Sequence, residues 1–238
     1  MARSSSTLHT GGRPAAAGSG RLRHVARAAA LALAVAGAGV LAGCGQPSQQ
    51  FVSSTEDDLV VKVPSSWTVV RTGPLQTSAS SAPAPGSWFA DLDGSSSPGR
   101  TQFGQHSASQ PLAIARTYVL SGSSAGSVSD DDLRDLVLPV SPTARQNLLT
   151  NGSATTKSIA KTFVQLAEVP IQSSTSHGVH VTFSYDLGEG VQVFDQVAVS
   201  NLAQTREYLL LVQCSQACWN TQHKSIDDAV RSLAVKVP

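Results

Sequence analysis

The chain has 238 residues, of which 41% are apolar and 14% charged, and a formal net charge of +1. Beyond an arginine-rich N-terminus, Lys62, Lys157, Lys161, Lys224 and Lys236 are scattered, which excludes from the rest of the chain the clustered basic surface that a nucleic-acid partner requires. No internal repeat is visible, and no motif identifies a substrate or a reaction.

The first element is a leader. Arg3, Arg13, Arg21, Arg23 and Arg27, with no acidic residue among them, precede a charge-free run over residues 28–41 made almost wholly of Ala, Leu, Val and Gly. That run has the length of a signal-peptide apolar region and is too short to cross a bilayer. It ends in Leu41-Ala42-Gly43-Cys44, which resembles the lipobox of bacterial lipoproteins. The resemblance implies that residues 1–43 are a signal peptide and that the Cys44 sulfur is alkylated with diacylglycerol. Cys44 would then begin the mature chain and hold it on the extracytoplasmic face of the cell membrane. Acyl chains contribute about 0.8 kcal/mol per buried methylene, and two of them anchor stably where one does not. Five of the 17 basic residues and none of the 16 acidic ones lie in the leader, so the mature chain is left near −4.

Residues 44–58, "CGQPSQQFVSSTEDD", are polar and acidic and read as a flexible tether. Residues 59–238 have the size of one domain. Leu59 to Pro64 and Ser65 to Val70 are β-rich runs that suggest an N-terminal hairpin. Two Ser/Pro/Gly-rich stretches flank Trp88-Phe89-Ala90 and read as long loops. "PLAIARTYVL" alternates as a strand, with a helix starting at Pro111 as the other reading. Ser129 or Asp130 can cap a short helix, and a second one takes Ser141 as N-cap, Pro142 at its first position and Gly152 as its stop. Phe163 to Ile171, Val179 to Tyr185, Val191 to Val199 and Tyr208 to Gln213 predict a four-stranded antiparallel meander. Ser225 is the expected N-cap of a closing helix, "IDDAVRSLAV". The pattern is α+β, an antiparallel sheet flanked by helices.

"VKVPSSW", "VTFSYD", "DQVAV", "YLLLVQCS" and "DDAVRSLAVKVP" together resemble the LpqN-type lipoproteins of actinobacteria, whose domain is similar to the PsbP fold of an extrinsic photosystem subunit. The resemblance spans most of residues 59–238. It implies a PsbP-like α/β/α sandwich, an envelope location, and a scaffold or binding role without enzyme chemistry. It supplies no catalytic residues and no cofactor.

The remaining motifs are short. With Cys44 committed to lipid, Cys214 and Cys218 are a pair that an oxidising compartment would join. Their spacing differs from a thioredoxin motif, and adding His223 gives three metal ligands where structural zinc takes four. Gly122-Ser123-Ser124-Ala125-Gly126 matches a hydrolase pattern, with Asp135 or Asp195 and His223 as partners for Ser124, but the nearest helix begins too late for a nucleophile elbow. His177 and His180 are three apart in a strand and so face opposite sides, unless Gly178 makes a bulge. His106 sits alone in a loop. Asp130-Asp131-Asp132 lacks calcium-loop spacing and suits helix capping, and Asn151 in Asn-Gly-Ser suits a helix end. Trp88 and Trp219 are the candidate binding anchors among the three tryptophans. The expected function is a non-catalytic, lipid-anchored binding or adaptor lipoprotein whose partner is an apolar envelope molecule or another envelope protein. A surface serine hydrolase using Ser124 is the alternative.

Overall fold

The computed structural model describes residues 48–56, 58–75, 85–98 and 109–236. The chain divides into two units, Met1–Cys44 and Gly45–Pro238. All described residues belong to the second; the leader and Cys44 lie outside them, as does His106 of the second unit. No helix among the described residues is long and apolar enough to cross a membrane.

Two antiparallel sheets form the frame. The smaller has the order β1 (Gln49–Ser53), β2 (Leu59–Pro64) and β10 (Ala234–Val235), with β2 in the middle. The larger contains β3 (Thr68–Pro74), β4 (Trp88–Asp93), β5 (Leu112–Val119), β6 (Val164–Gln172), β7 (Ser176–Asp186), β8 (Val191–Asn201) and β9 (Arg206–Ser215). Its order is β3-β4-β5-β9-β8-β7-β6. The expected meander is its β6–β9 half, with each strand paired to the next. The stretch after Pro111 is a strand, β5, which inserts beside β9.

Two expectations fail here. Residues 49–53 were expected in the tether but form β1, because Val52 turns into the core and the backbone pairs with β2 from Gln49 opposite Pro64 to Ser53 opposite Val60. The N-terminal hairpin does not form either. A turn in which the Trp67 amide donates to the Pro64 carbonyl at 3.0 Å sends the chain from the small sheet to the large one, so β3 pairs with β4.

Side chains of the large sheet feed two apolar clusters, one on each face. On β9, Tyr208, Leu210, Val212 and Cys214 enter one, while Leu209 and Leu211 enter the other. That is why "YLLLV" is apolar without alternation. The first cluster is closed by the small sheet and by α4 (Gln216–Val230), through Ile226, Ala229 and Val230. The second lies under α1 (Asp130–Arg134), α3 (Ala154–Ala160) and the segments around them, through Leu133, Val140 and Ile159. α2 (Pro142–Asn151) packs on α3 and buries no side chain of its own. Helices are thus minor covers on a body that is mostly sheet, and the α/β/α sandwich overstates them.

Capping chemistry sets the helix starts. Ser129 and Asp132 form a reciprocal capping box on α1, and Ser141 accepts from the Ala144 amide with Pro142 at the first position of α2. Asn151 closes α2 ahead of Gly152, its side chain donating to Asn147 at 2.7 Å. α3, capped by Ser153, has no counterpart among the elements expected from the sequence. The closing helix starts earlier than expected. Ser215, not Ser225, is its N-cap and accepts from the Cys218 amide, while Ser225 lies inside it and donates to the Gln222 carbonyl.

Cys214 and Cys218 are joined by a disulfide across this strand-to-helix corner, with Cα atoms 5.6 Å apart. So short a loop restricts the unfolded chain little. Replacing both cysteines with alanine is expected to lower stability by about 2 kcal/mol, measured by urea unfolding under non-reducing conditions.

Candidate functional site

α4 packs on β8 and β9 and ends at Val230; the chain then crosses to β10 to pair with β2. It therefore does not reach the β6–β7 side of the same sheet face. The uncovered strip is a groove of 490 Å³ floored by Val169, Ile171, Val197 and Val199, and walled by Val230, Leu233, Ala234 and Val235. Ser173, Thr175 and Ser176 form one rim, and His180 and Arg231 supply the basic atoms. The size falls within the range of small-molecule sites, and an apolar wall with few polar groups suits an apolar ligand.

The polar groups are ordered by their own contacts. His180 Nε2 lies 2.7 Å from Asp195 Oδ1, and Arg231 Nε donates to Asp227 at 2.7 Å. The Ser173 and Ser176 hydroxyls lie 2.9 Å apart, so they close the β6–β7 turn on themselves. No serine is hydrogen-bonded to His180 among the described residues. His177 and His180 point to opposite faces as strand alternation requires; the β7–β8 register runs without a break through Gly178.

The serine-hydrolase constellation does not assemble. Ser124 is exposed in a short 3₁₀ turn, Gly122–Ser124. Asp135 accepts from the Val140 and Ser141 amides and the Ser141 hydroxyl, Asp195 is taken by His180, and His223 lies on α4 beside Trp219, ring centroids 6.4 Å apart. The disulfide likewise removes both sulfurs from any site with His223. Trp88 is 4% exposed and belongs to the core, which corrects its expected role as a binding anchor. Trp219 is partly buried against the same core. The groove itself had no signal in the sequence, since it arises from where α4 stops.

A second cavity, of 360 Å³, lies on the opposite side of β9 and is lined by Ser123, Ser124, Ser127, Asp132 and Glu207. Glu207 is 7% exposed, and its carboxylate makes no hydrogen bond or ion pair among the described residues. Burial pushes its pKa up, and the nearby Asp132 carboxylate adds to the rise. A raised acid pKa means that the folded chain holds this proton more tightly than the unfolded one. Its cost is absent below the ordinary glutamate range, grows as pH rises through the raised value, and is complete above it. Glu207→Gln is therefore expected to stabilise the protein at neutral pH and not at pH 3, as read from thermal melts across that range.

No family model matches the sequence, and no curated protein matches it at a significant level. Among solved structures, the chain is similar to the PsbP protein CyanoP of Synechocystis sp. PCC 6803, at 12% identity and a TM-score of 0.46 over 84% of this chain and 99% of that one. It is also similar to the Ran-binding protein Mog1p of Saccharomyces cerevisiae, at 14% identity and a TM-score of 0.42 over 79% of this chain and 95% of that one. A protein of unknown function from Pseudomonas aeruginosa aligns at 9% identity and a TM-score of 0.41, over 80% of this chain and 99% of the other. These are likenesses of chain course at low identity, and no residue role follows from them.

Proposed function

We propose that the protein is a lipid-anchored, non-catalytic binding domain of the bacterial cell envelope, held at the membrane through Cys44 and carrying an apolar small molecule in the groove between β6–β8 and the end of α4. The groove carries this reading: 490 Å³ of mostly aliphatic wall left open beside the end of α4. The lipobox-like leader supports the location. The failure of Ser124, Asp135 and His223 to converge supports a role in binding and not in catalysis.

The test is native mass spectrometry of the full-length chain released gently from its own membranes, before and after denaturation. The expected spectrum carries diacylglycerol that survives denaturation and maps to Cys44, together with an apolar mass that is lost. Val197→Asp, which puts a charge on the groove floor, is expected to abolish the second mass and leave the first. A bare acylated chain would overturn the carrier reading, and an unacylated one the anchor.

A further inference from the structure

His180 on β7 and Asp195 on β8 occupy diagonal positions of neighbouring strands, His180 opposite Val197 and Asp195 opposite Thr182. His180 Nε2 and the Thr182 hydroxyl, the latter at 3.0 Å, both reach the same oxygen, Asp195 Oδ1. Asp195 itself is only 1% exposed. Asp227 reaches the pair from α4, and the ligating atoms of the three residues all lie within 4.8 Å of one another. Arg231 binds Oδ1 of Asp227, so that carboxylate keeps a second oxygen.

We infer that His180, Asp195 and Asp227 bind a divalent transition metal of the zinc class. One imidazole nitrogen and two carboxylate oxygens are a donor set that zinc accepts. Calcium takes six to eight oxygens and magnesium a near-octahedral oxygen shell, so neither suits three donors that include an imidazole. Bond lengths of about 2.0–2.2 Å place tetrahedral zinc ligands roughly 3.3–3.5 Å apart. His180 Nε2 and Asp195 Oδ1, 2.7 Å apart in their hydrogen bond, open to that separation as the metal displaces the proton to solvent, and Asp227, on a partly exposed helix face, is the least confined of the three.

Charge favours the ion as well. Two carboxylates lie with one guanidinium and one imidazole, and a divalent cation placed among them is attracted by both carboxylates. Metal binding replaces the shared proton on Nε2. Thr182 and Arg231 each hydrogen-bond one of the two carboxylates, the outer-shell support that metal ligands use. His180 also lines the groove. The site shares His180 and Arg231 with the groove, but its test needs no apolar ligand.

The experiment uses the untagged full-length chain in detergent, stripped with chelator and dialysed against Zn²⁺, with bound metal measured by elemental analysis and affinity by competition with a chromophoric chelator. The expected result is one zinc per chain, weakened by about tenfold or more in both His180→Ala and Asp227→Asn. His177→Ala and His223→Ala are expected to leave it unchanged. In ¹⁵N spectra, zinc is expected to shift His180 Nε2 more than any other ring nitrogen. A wild-type chain that retains no zinc would show that His180 and Asp195 are only a proton-sharing pair and would overturn the site. Zinc binding unaltered in Asp227→Asn would do the same, and since Asp227 is partly exposed this variant decides even if His180→Ala does not fold.

Discussion

Replacing Phe183 with alanine is expected to lower the free energy of unfolding by about 3–5 kcal/mol, a large share of the roughly 5–15 kcal/mol that a domain of this kind has. Phe183 is fully buried on β7. Its ring stacks on Phe194 of β8 at 5.2 Å, meets Tyr185 edge-on at 6.0 Å and tilts against Phe163 at 6.0 Å. The layer above is fastened by polar contacts that require this spacing. Tyr185 donates its hydroxyl to the Pro139 carbonyl, Arg145 lies over the Phe163 ring at 4.0 Å, and Gln196 donates to the carbonyl of Leu133 at 2.9 Å, in the last turn of α1. Strands β7 and β8 are paired from Ser176 to Asp186, so their backbones cannot move in to fill the space. Urea unfolding at constant m is the measurement, with Phe183→Leu expected to lose less. A loss below about 1 kcal/mol would mean that the helical cover is not packed against the sheet.

The same strands show why part of the fold was legible. β6 to β9 announce themselves because apolar residues recur wherever a face is buried and the turns between them are rich in Gly, Ser and Asn. The caps at Ser129 and Ser141 were legible because capping is local chemistry. Pairing across distance was not. Nothing near Gln49 says that β1 will lie on β2, or that β10 will reach it from the other end of the chain. The start of α4 was hidden because its first turns, "QACWNTQHK", carry little apolar periodicity and are held by Ser215 and the disulfide. The metal cluster was invisible for a further reason. His180, Asp195 and Asp227 come from three elements, and only the diagonal of a strand pair and the approach of a helix bring them together.

Removing the guanidinium of Arg206 has the second large expected effect. Arg206 opens β9 and binds both Asp58, just ahead of β2, and Glu56, at 2.7 Å, so it ties the small sheet to the large one. Asp58 is 7% exposed and also takes the Ser54 hydroxyl, while its amide and that of Leu59 donate to the same serine. Burial works against the charge of Arg206, yet its hydrogen bonds to Glu56 and Asp58 outweigh that and raise its pKa. Arg206→Met would leave the Asp58 carboxylate buried without a cation, which costs about 3–5 kcal/mol where both partners are fully enclosed. The Arg206 side chain is 25% exposed, so about 3 kcal/mol is expected. Adding Asp58→Asn should recover part of the loss, because the stranded charge goes with it, and the pair should therefore be less than additive. Amide exchange should separate this from a general weakening: β1 and β2 are expected to lose protection first, with β7 and β8 following only near global unfolding. If all strands lost protection together, or if the double variant were as damaged as the sum of the singles, Arg206 would not be the tie between the sheets.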